Sequence, residues 1–262
     1  MGVEKTDIWL RDSFEHPIEI CKDMCNFRKK NELEQFYQYL VRFGMYRPNP
    51  ESKRIYEELV KAGMWGKVHS LYEKYKKNWN GPHVPIYIFP IDKGSRFLFK
   101  SNQSKSGVSF QDKIFLFLSN IDDIQELEAL FIHEYHHVCR MNGLNKPLNE
   151  YTLLDSIIME GLAEDAVHEQ IGRKYVANWS KELTNEQFQH FWKKYFNKHL
   201  TIKKKDSLHD HLLFGKGFVP KMLGYTCGYH LVRKYREQEH FSTKASFTML
   251  PENFINNILD EA

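Results

Sequence analysis

A segment around residue 133 contains two histidines and a glutamate. On a helix, their spacing places both histidines where they can bind one metal ion. His133, Glu134 and His137 form the pattern H-E-x-x-H. Residues i and i+4 of an α-helix share one face, so both imidazoles can bind one Zn²⁺ while Glu134 reaches a water beside them. The pattern predicts a helical metal site. A histidine cluster on the surface of an ordinary helix is the alternative, and a third ligand would favour the metal site.

The residues that flank this motif also indicate a helix. Asp122 and Asp123 suit the positive end of a helix dipole, and Gly143 is a natural residue at which to end the helix. Because His136 is offset from the two predicted ligands, we expect it to point away from the metal, either into solvent or against a ligand.

A second predicted helix follows. Thr152 and Asp155 approximate a capping box at its start, and Glu160 and Glu164 lie one turn apart on it. Catalytic zinc takes three protein ligands, and two histidines with one glutamate form a known set. We assign Glu160 as the third ligand and Glu164 as the acceptor for a ligand histidine's free N–H. The reverse assignment and a merely solvated glutamate pair are the alternatives. Small residues at Gly161 and Ala163 predict a close approach to the first helix.

Two tyrosines and a histidine pair lie nearer the C-terminus. Tyr225 and Tyr229 are candidates for stabilising a developing oxyanion, with simple packing as the alternative for each. The triplet His209-Asp-His211 follows a run of lysines, and we expect it to form a polar loop rather than a metal site.

The hydrophobic pattern predicts an α+β fold in which helices predominate. Residues 1–80 contain apolar residues at helical spacing, and short strand-like runs follow at 85–90, 107–110 and 113–119. The helical period then returns. We expect a helical N-terminal region over 1–80 and a second domain over 81–262, or one continuous domain. If the 113–119 strand is an exposed edge, an extended peptide could pair with it.

The composition excludes several classes of protein. The 262 residues include 37 Lys and Arg against 34 Asp and Glu, and this balance argues against a dedicated nucleic-acid binder. No apolar run approaches the ~18 residues that cross a bilayer, and the N-terminus has no apolar signal segment. The four cysteines are too sparse for a disulfide framework. We expect a cytoplasmic protein with no membrane partner. The sequence leaves its oligomeric state open.

The central motifs resemble those of a known family. His133-Glu-Tyr-His-His-Val-Cys-Arg140 followed by Glu160-Gly-Leu-Ala-Glu164 is similar to the YjaZ-type predicted zinc-dependent proteases. The likeness extends to Gly44-Met-Tyr46, Gly81-Pro82 and Gly224–Tyr229. It implies a zincin-like domain of the kind with a glutamate ligand, in which His133, His137 and Glu160 hold zinc and Glu134 is catalytic.

Together these patterns favour a zinc-dependent peptidase acting on a peptide or protein substrate. Glu134 is the expected general base. A non-catalytic interaction protein that keeps a zinc site is one alternative, and a metal-dependent hydrolase of a non-peptide amide is another.

Overall fold

Helices make up most of the described structure, as the hydrophobic pattern predicts. The computed structural model describes residues 2–27, 29–94, 104–180 and 183–255. Within these residues α-helices accompany one small mixed sheet, which confirms the predicted α+β class. The chain divides into two compact units, residues 1–138 and 139–262.

The N-terminal part of the first unit is helical, as predicted. Asn49 caps the fourth helix by accepting the Ser52 N–H at 2.9 Å, and Pro50 follows in the first-turn position that tolerates proline. The described helices of this region are α1 (Thr6–Ser13), α2 (Pro17–Ile20), α3 (Lys30–Arg42), α4 (Pro50–Lys61) and α5 (Met64–Trp79).

The sheet has three strands in the order β1-β3-β2: β1 (Ile86–Pro90), β2 (Lys105–Phe110) and β3 (Lys113–Leu118). β3 pairs parallel with β1 and antiparallel with β2. The strand at 113–119 is therefore central, and the condition under which a peptide could pair with it is not met. The five residues from Ile114 to Leu118 are all buried, as in strands covered on both faces.

One hydrophobic core joins the N-terminal helices to the sheet. Aromatic residues dominate it, and Tyr87 stacks on Phe115 with ring centroids 5.0 Å apart. The expected boundary near residue 80 thus falls inside the first unit. Members of this core from the helices and from the sheet include Leu10, Leu33, Leu40, Tyr46, Phe89 and Phe117.

The helix with the H-E-x-x-H motif, α6 (Ile124–Leu144), is fixed to α5 by polar and aromatic contacts. The buried carboxylate of Glu128 accepts hydrogen bonds from Tyr75 at 2.7 Å and Lys74 at 2.6 Å. Tyr135 stacks on Trp79 with ring centroids 5.9 Å apart, and its hydroxyl donates to the Pro82 carbonyl at 3.1 Å. These contacts set the rotation of α6, and hence where its motif points.

Gly143 does not end this helix, contrary to the prediction. The helix continues to Leu144, and Asn145 takes the left-handed conformation at φ 46°. A Cβ on Gly143 would lie 2.6 Å from the Phe247 carbonyl oxygen. The glycine is therefore needed for close packing rather than for termination.

The described part of the second unit is mainly helical: α7 (Leu153–Ile171), α8 (Asn185–Phe191), α9 (Ser207–Phe214), α10 (Leu223–Gln238) and α11 (Thr243–Ser246). α7 and α10 touch at glycines, because a Cβ on Gly161 would overlap the Gly228 carbonyl and lie 2.8 Å from the Tyr229 nitrogen. The close approach that Gly161 permits is thus to α10, not the predicted approach to the metal helix.

The His209-Asp-His211 triplet is helical, so the predicted polar loop is wrong. Asp206 caps α9 by accepting the Leu208 N–H at 2.9 Å, which starts the helix before the triplet. His209 is fully buried, with its Nε2 2.9 Å from the Ser156 hydroxyl and its Nδ1 2.8 Å from Asp210.

Two further predictions concern membrane spans and disulfides. None of the helices over the described ranges combines the length and hydropathy that crossing a bilayer requires. All four cysteines are among the described residues, and all are free thiols. Burial raises the pKa of the Cys21 thiol to about 12, which keeps it protonated and unreactive.

Candidate functional site

The three predicted metal ligands form one cluster. One ligand atom from each of His133, His137 and Glu160 can be chosen so that all lie within 4.8 Å of one another. The Nε2 atoms of the two histidines are 3.0 Å apart, and their rings are nearly perpendicular at 83°. Two imidazole nitrogens and one carboxylate are a donor set that could hold a metal ion, and the same set is known from catalytic zinc sites.

Glu134 is held in place by the edge strand β2. The Ser109 hydroxyl lies 2.6 Å from Oε2 of Glu134 and 2.9 Å from its backbone carbonyl. Gly107, two residues earlier, lies directly against the same side chain, because a Cβ there would be 2.6 Å from Cγ, Cδ and Oε1 of Glu134. One face of β2 is therefore shaped to hold this carboxylate.

Ser109 and Gly107 were missed at the sequence level. Residues i and i+2 of a strand share a face, which explains why both contact Glu134. A glycine inside a strand often marks a close approach of another group, and that was the available signal. The sequence does not show which group approaches.

Glu160 lies on a helix whose start is well defined. Thr152 and Asp155 form the predicted capping box, and Lys146 pairs with the buried Asp155 at 2.6 Å. Glu160 belongs to the ligand cluster among the described residues, whereas Glu164 does not. Oε2 of Glu164 accepts the Ala177 N–H at 2.8 Å, and the carboxylate is buried.

The two candidate tyrosines lie on α10 in different environments. Tyr229 is buried, its hydroxyl is 2.8 Å from Nδ1 of His168, and burial raises its pKa to about 12. Tyr225 is half-buried and packs edge-on against Trp179 with ring centroids 4.7 Å apart. The raised pKa keeps the Tyr229 phenol protonated near neutral pH.

His136 is completely buried, so the solvent-exposed alternative for this residue is wrong. Its ring is edge-on to Trp79 with centroids 6.3 Å apart. Nearly every position of α6 from Phe131 to Met141 is buried, so this helix has no solvated face at the motif. Because His136 is offset from the ligands, its side chain points into the protein interior and packs against Trp79.

Most of the chain matches a known protein family. Residues 64–256 match the family described as predicted Zn-dependent protease (DUF2268). The uncharacterized protein YjaZ of Bacillus subtilis (strain 168) is 39% identical over 261 residues, covering 99% of this chain and all of that protein.

A second relative matches a shorter region. The uncharacterized protein YjfC of Bacillus subtilis (strain 168) is 26% identical over 133 residues, or 47% of this chain and 44% of that protein. No solved structure matches. The extent of the family match and the full-length similarity to YjaZ show that this chain belongs to the family of predicted Zn-dependent proteases.

Proposed function

We propose that this chain is a zinc-dependent peptidase that uses Glu134 as its general base. The observation that supports this most strongly is the cluster of His133, His137 and Glu160 within 4.8 Å. These three residues would hold the ion. A bound Zn²⁺ supplies Lewis acidity, which polarises a carbonyl and lowers the pKa of a coordinated water to about 7.

Glu134 accepts the proton of the attacking water and returns it to the departing amine. It follows the first ligand histidine directly in α6, so it lies beside the ligand face and turned from it. Proton transfer by a positioned side chain contributes typically about 10²–10⁴-fold to rate. That contribution depends on a fixed carboxylate, which explains why β2 contacts Glu134 so closely.

Ser109 acts as a positioning residue for this base. Its hydroxyl donates to Oε2 at 2.6 Å, which fixes the plane of the carboxylate, while Oε1 lies against Gly107 of the same strand. Both carboxylate oxygens would otherwise exchange by rotation about the last side-chain bond. The serine thus assigns one oxygen to positioning and the other to proton transfer.

The outer edge of β2 suits an extended peptide. No strand pairs with this edge among the residues that the structure describes. Ser119 N–H donates to the Ser104 carbonyl, so the antiparallel alternation turns the N–H and C=O groups of Lys105, Gly107 and Ser109 outward. A peptide paired there lies along the strand that holds Glu134, which supports a peptide substrate.

Tyr225 is the better candidate of the two tyrosines for stabilising the oxyanion. A donor must reach the reacting carbonyl, and Tyr225 remains partly accessible. Tyr229 is buried, and its hydroxyl is engaged with His168. We therefore assign Tyr229 to packing between α7 and α10, and Tyr225 to the reaction.

The contact between Ser109 and Glu134 favours a catalytic zinc site over a structural one. Structural zinc is usually closed by four protein ligands, whereas this cluster has three among the described residues. A structural site also has no use for a fixed carboxylate beside the ligands. Hydrolysis of a non-peptide amide uses the same groups, and the edge of β2, with which no described strand pairs, is the feature that favours peptides.

A peptide library digested by the wild-type chain and by Glu134→Gln tests the proposal. Mass spectrometry should detect cleavage only by the wild-type chain, while both proteins contain equal zinc. Wild-type cleavage that a chelator abolishes and added Zn²⁺ restores would strengthen this result. Equal cleavage by Glu134→Gln would exclude Glu134 as the base.

A further inference from the structure

A basic surface with one protruding aromatic side chain lies far along the sequence from the metal motif. Residues 193–221 contain eight lysines against two aspartates, a net charge of +6, whereas the whole chain has +3. The other residues are therefore slightly acidic. The segment contains no arginine. We call this segment the lysine-rich segment.

Phe218 protrudes from the lysine-rich segment. Its side chain is fully exposed, more than any other large apolar side chain among the described residues. It lies in the turn between α9 and α10, where Gly215 and Gly217 adopt positive φ values of 69° and 61°. Exposing a whole phenylalanine ring to water is unfavourable by roughly the 1.5–3 kcal/mol that its burial would recover.

The turn that presents Phe218 has a defined position. The Tyr195 hydroxyl donates to the Phe218 carbonyl at 3.2 Å, and the Lys194 ammonium lies 5.0 Å from the centre of the Tyr195 ring. Lys216 lies two residues before Phe218. Lys194, through Tyr195, and Lys216, in the same turn, are thus the lysines next to the aromatic tip.

The lysines around this tip are available for a partner. Lys193, Lys194, Lys204, Lys205 and Lys216 are exposed, and none forms an ion pair with any residue that the structure describes. The pKa of Asp210, on α9, is lowered by its hydrogen bond with His209 and by the charges of Lys204 and Lys216. These two lysines therefore lie near the same carboxylate. The charges of these exposed lysines add to a positive electrostatic potential at the surface of the lysine-rich segment.

Contrary to the expectation of no membrane partner, we propose that Phe218 and the surrounding lysines form a docking surface for an anionic phospholipid bilayer. An aromatic ring inserts at the headgroup level, while lysines remain in water opposite the lipid phosphates. Lysine is a point charge that suits a diffuse anionic surface. Nucleic-acid and phosphopeptide sites favour the paired hydrogen bonds of arginine, which this segment lacks. The surface would bring the chain to membrane-associated substrates or hold it near the bilayer.

Vesicle flotation of the full chain tests this inference. The wild-type chain should float with vesicles of phosphatidylglycerol and phosphatidylcholine at 0.1 M salt, and it should remain in solution with pure phosphatidylcholine. At 1 M salt the Debye length falls from about 10 to about 3 Å, so binding should disappear. We expect Phe218→Ser to weaken binding about tenfold. Leu250→Ser is the control, because Leu250 is also exposed but lies outside the segment.

Paired lysine substitutions separate local from total charge. Lys194→Gln with Lys216→Gln should weaken binding at least tenfold, since each lysine near an anionic surface contributes about fivefold. Lys61→Gln with Lys67→Gln changes the net charge equally at exposed sites elsewhere and should bind like wild type. Failure of the wild type to float, equal binding by Phe218→Ser and Leu250→Ser, or binding to single-stranded RNA without vesicle binding would overturn the inference. Unchanged unfolding temperatures confirm that the variants fold.

Discussion

The Ser109 hydroxyl lies 2.6 Å from Oε2 of Glu134, so an edge strand holds the carboxylate beside the predicted metal ligands. Removing that hydroxyl should leave the fold and the bound zinc unchanged while freeing the carboxylate to rotate. We expect Ser109→Ala to lower kcat about tenfold with little change in KM, a loss typical of one hydrogen bond to a charged group.

The control for this prediction is Ser106→Ala on the same strand, because residue 106 alternates to the opposite face from Ser109. Ser109→Thr retains the hydroxyl and should recover part of the activity. Equal kcat for Ser109→Ala and Ser106→Ala would contradict the positioning role.

Gly107 provides a second test of the same contact. A Cβ at this position would lie 2.6 Å from the Glu134 side chain, whose flexible end can move aside. Gly107→Ala should therefore fold and bind zinc but lose about 10²-fold or more in kcat, because the base is displaced. Gly66→Ala is the matched control, since nothing lies within 4 Å of its added methyl group. Full activity of Gly107→Ala would show that the position of Glu134 is unimportant.

Gly161 should matter for stability, because its added Cβ meets backbone rather than a movable side chain. We expect Gly161→Ala to lower the free energy of unfolding by about 1–3 kcal/mol, the usual cost of overpacking. Gly66→Ala, in an exposed part of α5, should instead raise it by up to about 1 kcal/mol. Urea unfolding measures the free energy of unfolding of each variant. Similar free energies for Gly161→Ala and Gly66→Ala would refute the close packing between α7 and α10.

His168 should make stability fall in mild acid. Its pKa is lowered by burial and by the charge of Arg233, so the native state favours the neutral ring. The unfolded histidine binds a proton near pH 6.5, whereas the folded one resists it. His168 therefore supports the native state above about pH 6.5, and this support is lost as pH falls through the lowered native pKa.

Thermal unfolding at pH 7.5 and 5.5 tests the His168 prediction. His168→Gln can still hydrogen-bond Tyr229 but does not titrate, so its unfolding temperature should fall less between the two pH values. The same fall in both proteins would assign the acid sensitivity to other groups.

Local patterns predicted the helices that contain the central motifs and the placement of two histidines on one helix face, because both depend on residues close in sequence. The capping box at Thr152 and the spacing of His133 and His137 are examples. Strand order depends on long-range pairing, and local patterns did not show that β3 is the central strand. The uninterrupted apolar run Ile114–Leu118 was the sign of a central strand.

Other errors arose because a residue type was assigned its most common structural role. Gly143 was expected to end a helix, but it makes room for the Phe247 carbonyl. His209 was expected in a loop, yet it is buried with hydrogen bonds at both ring nitrogens. The contacts of Ser109 with Glu134 join residues 25 positions apart, and no spacing rule reveals them.

Zinc content of the purified chain tests the central claim most directly. Elemental analysis should find one zinc per chain in the wild type and in Glu134→Gln, because Glu134 is not a ligand. His133→Ala should lose the zinc, because it removes one of three ligands. A wild-type chain without zinc, or a His133→Ala variant that retains it fully, would contradict the proposed site.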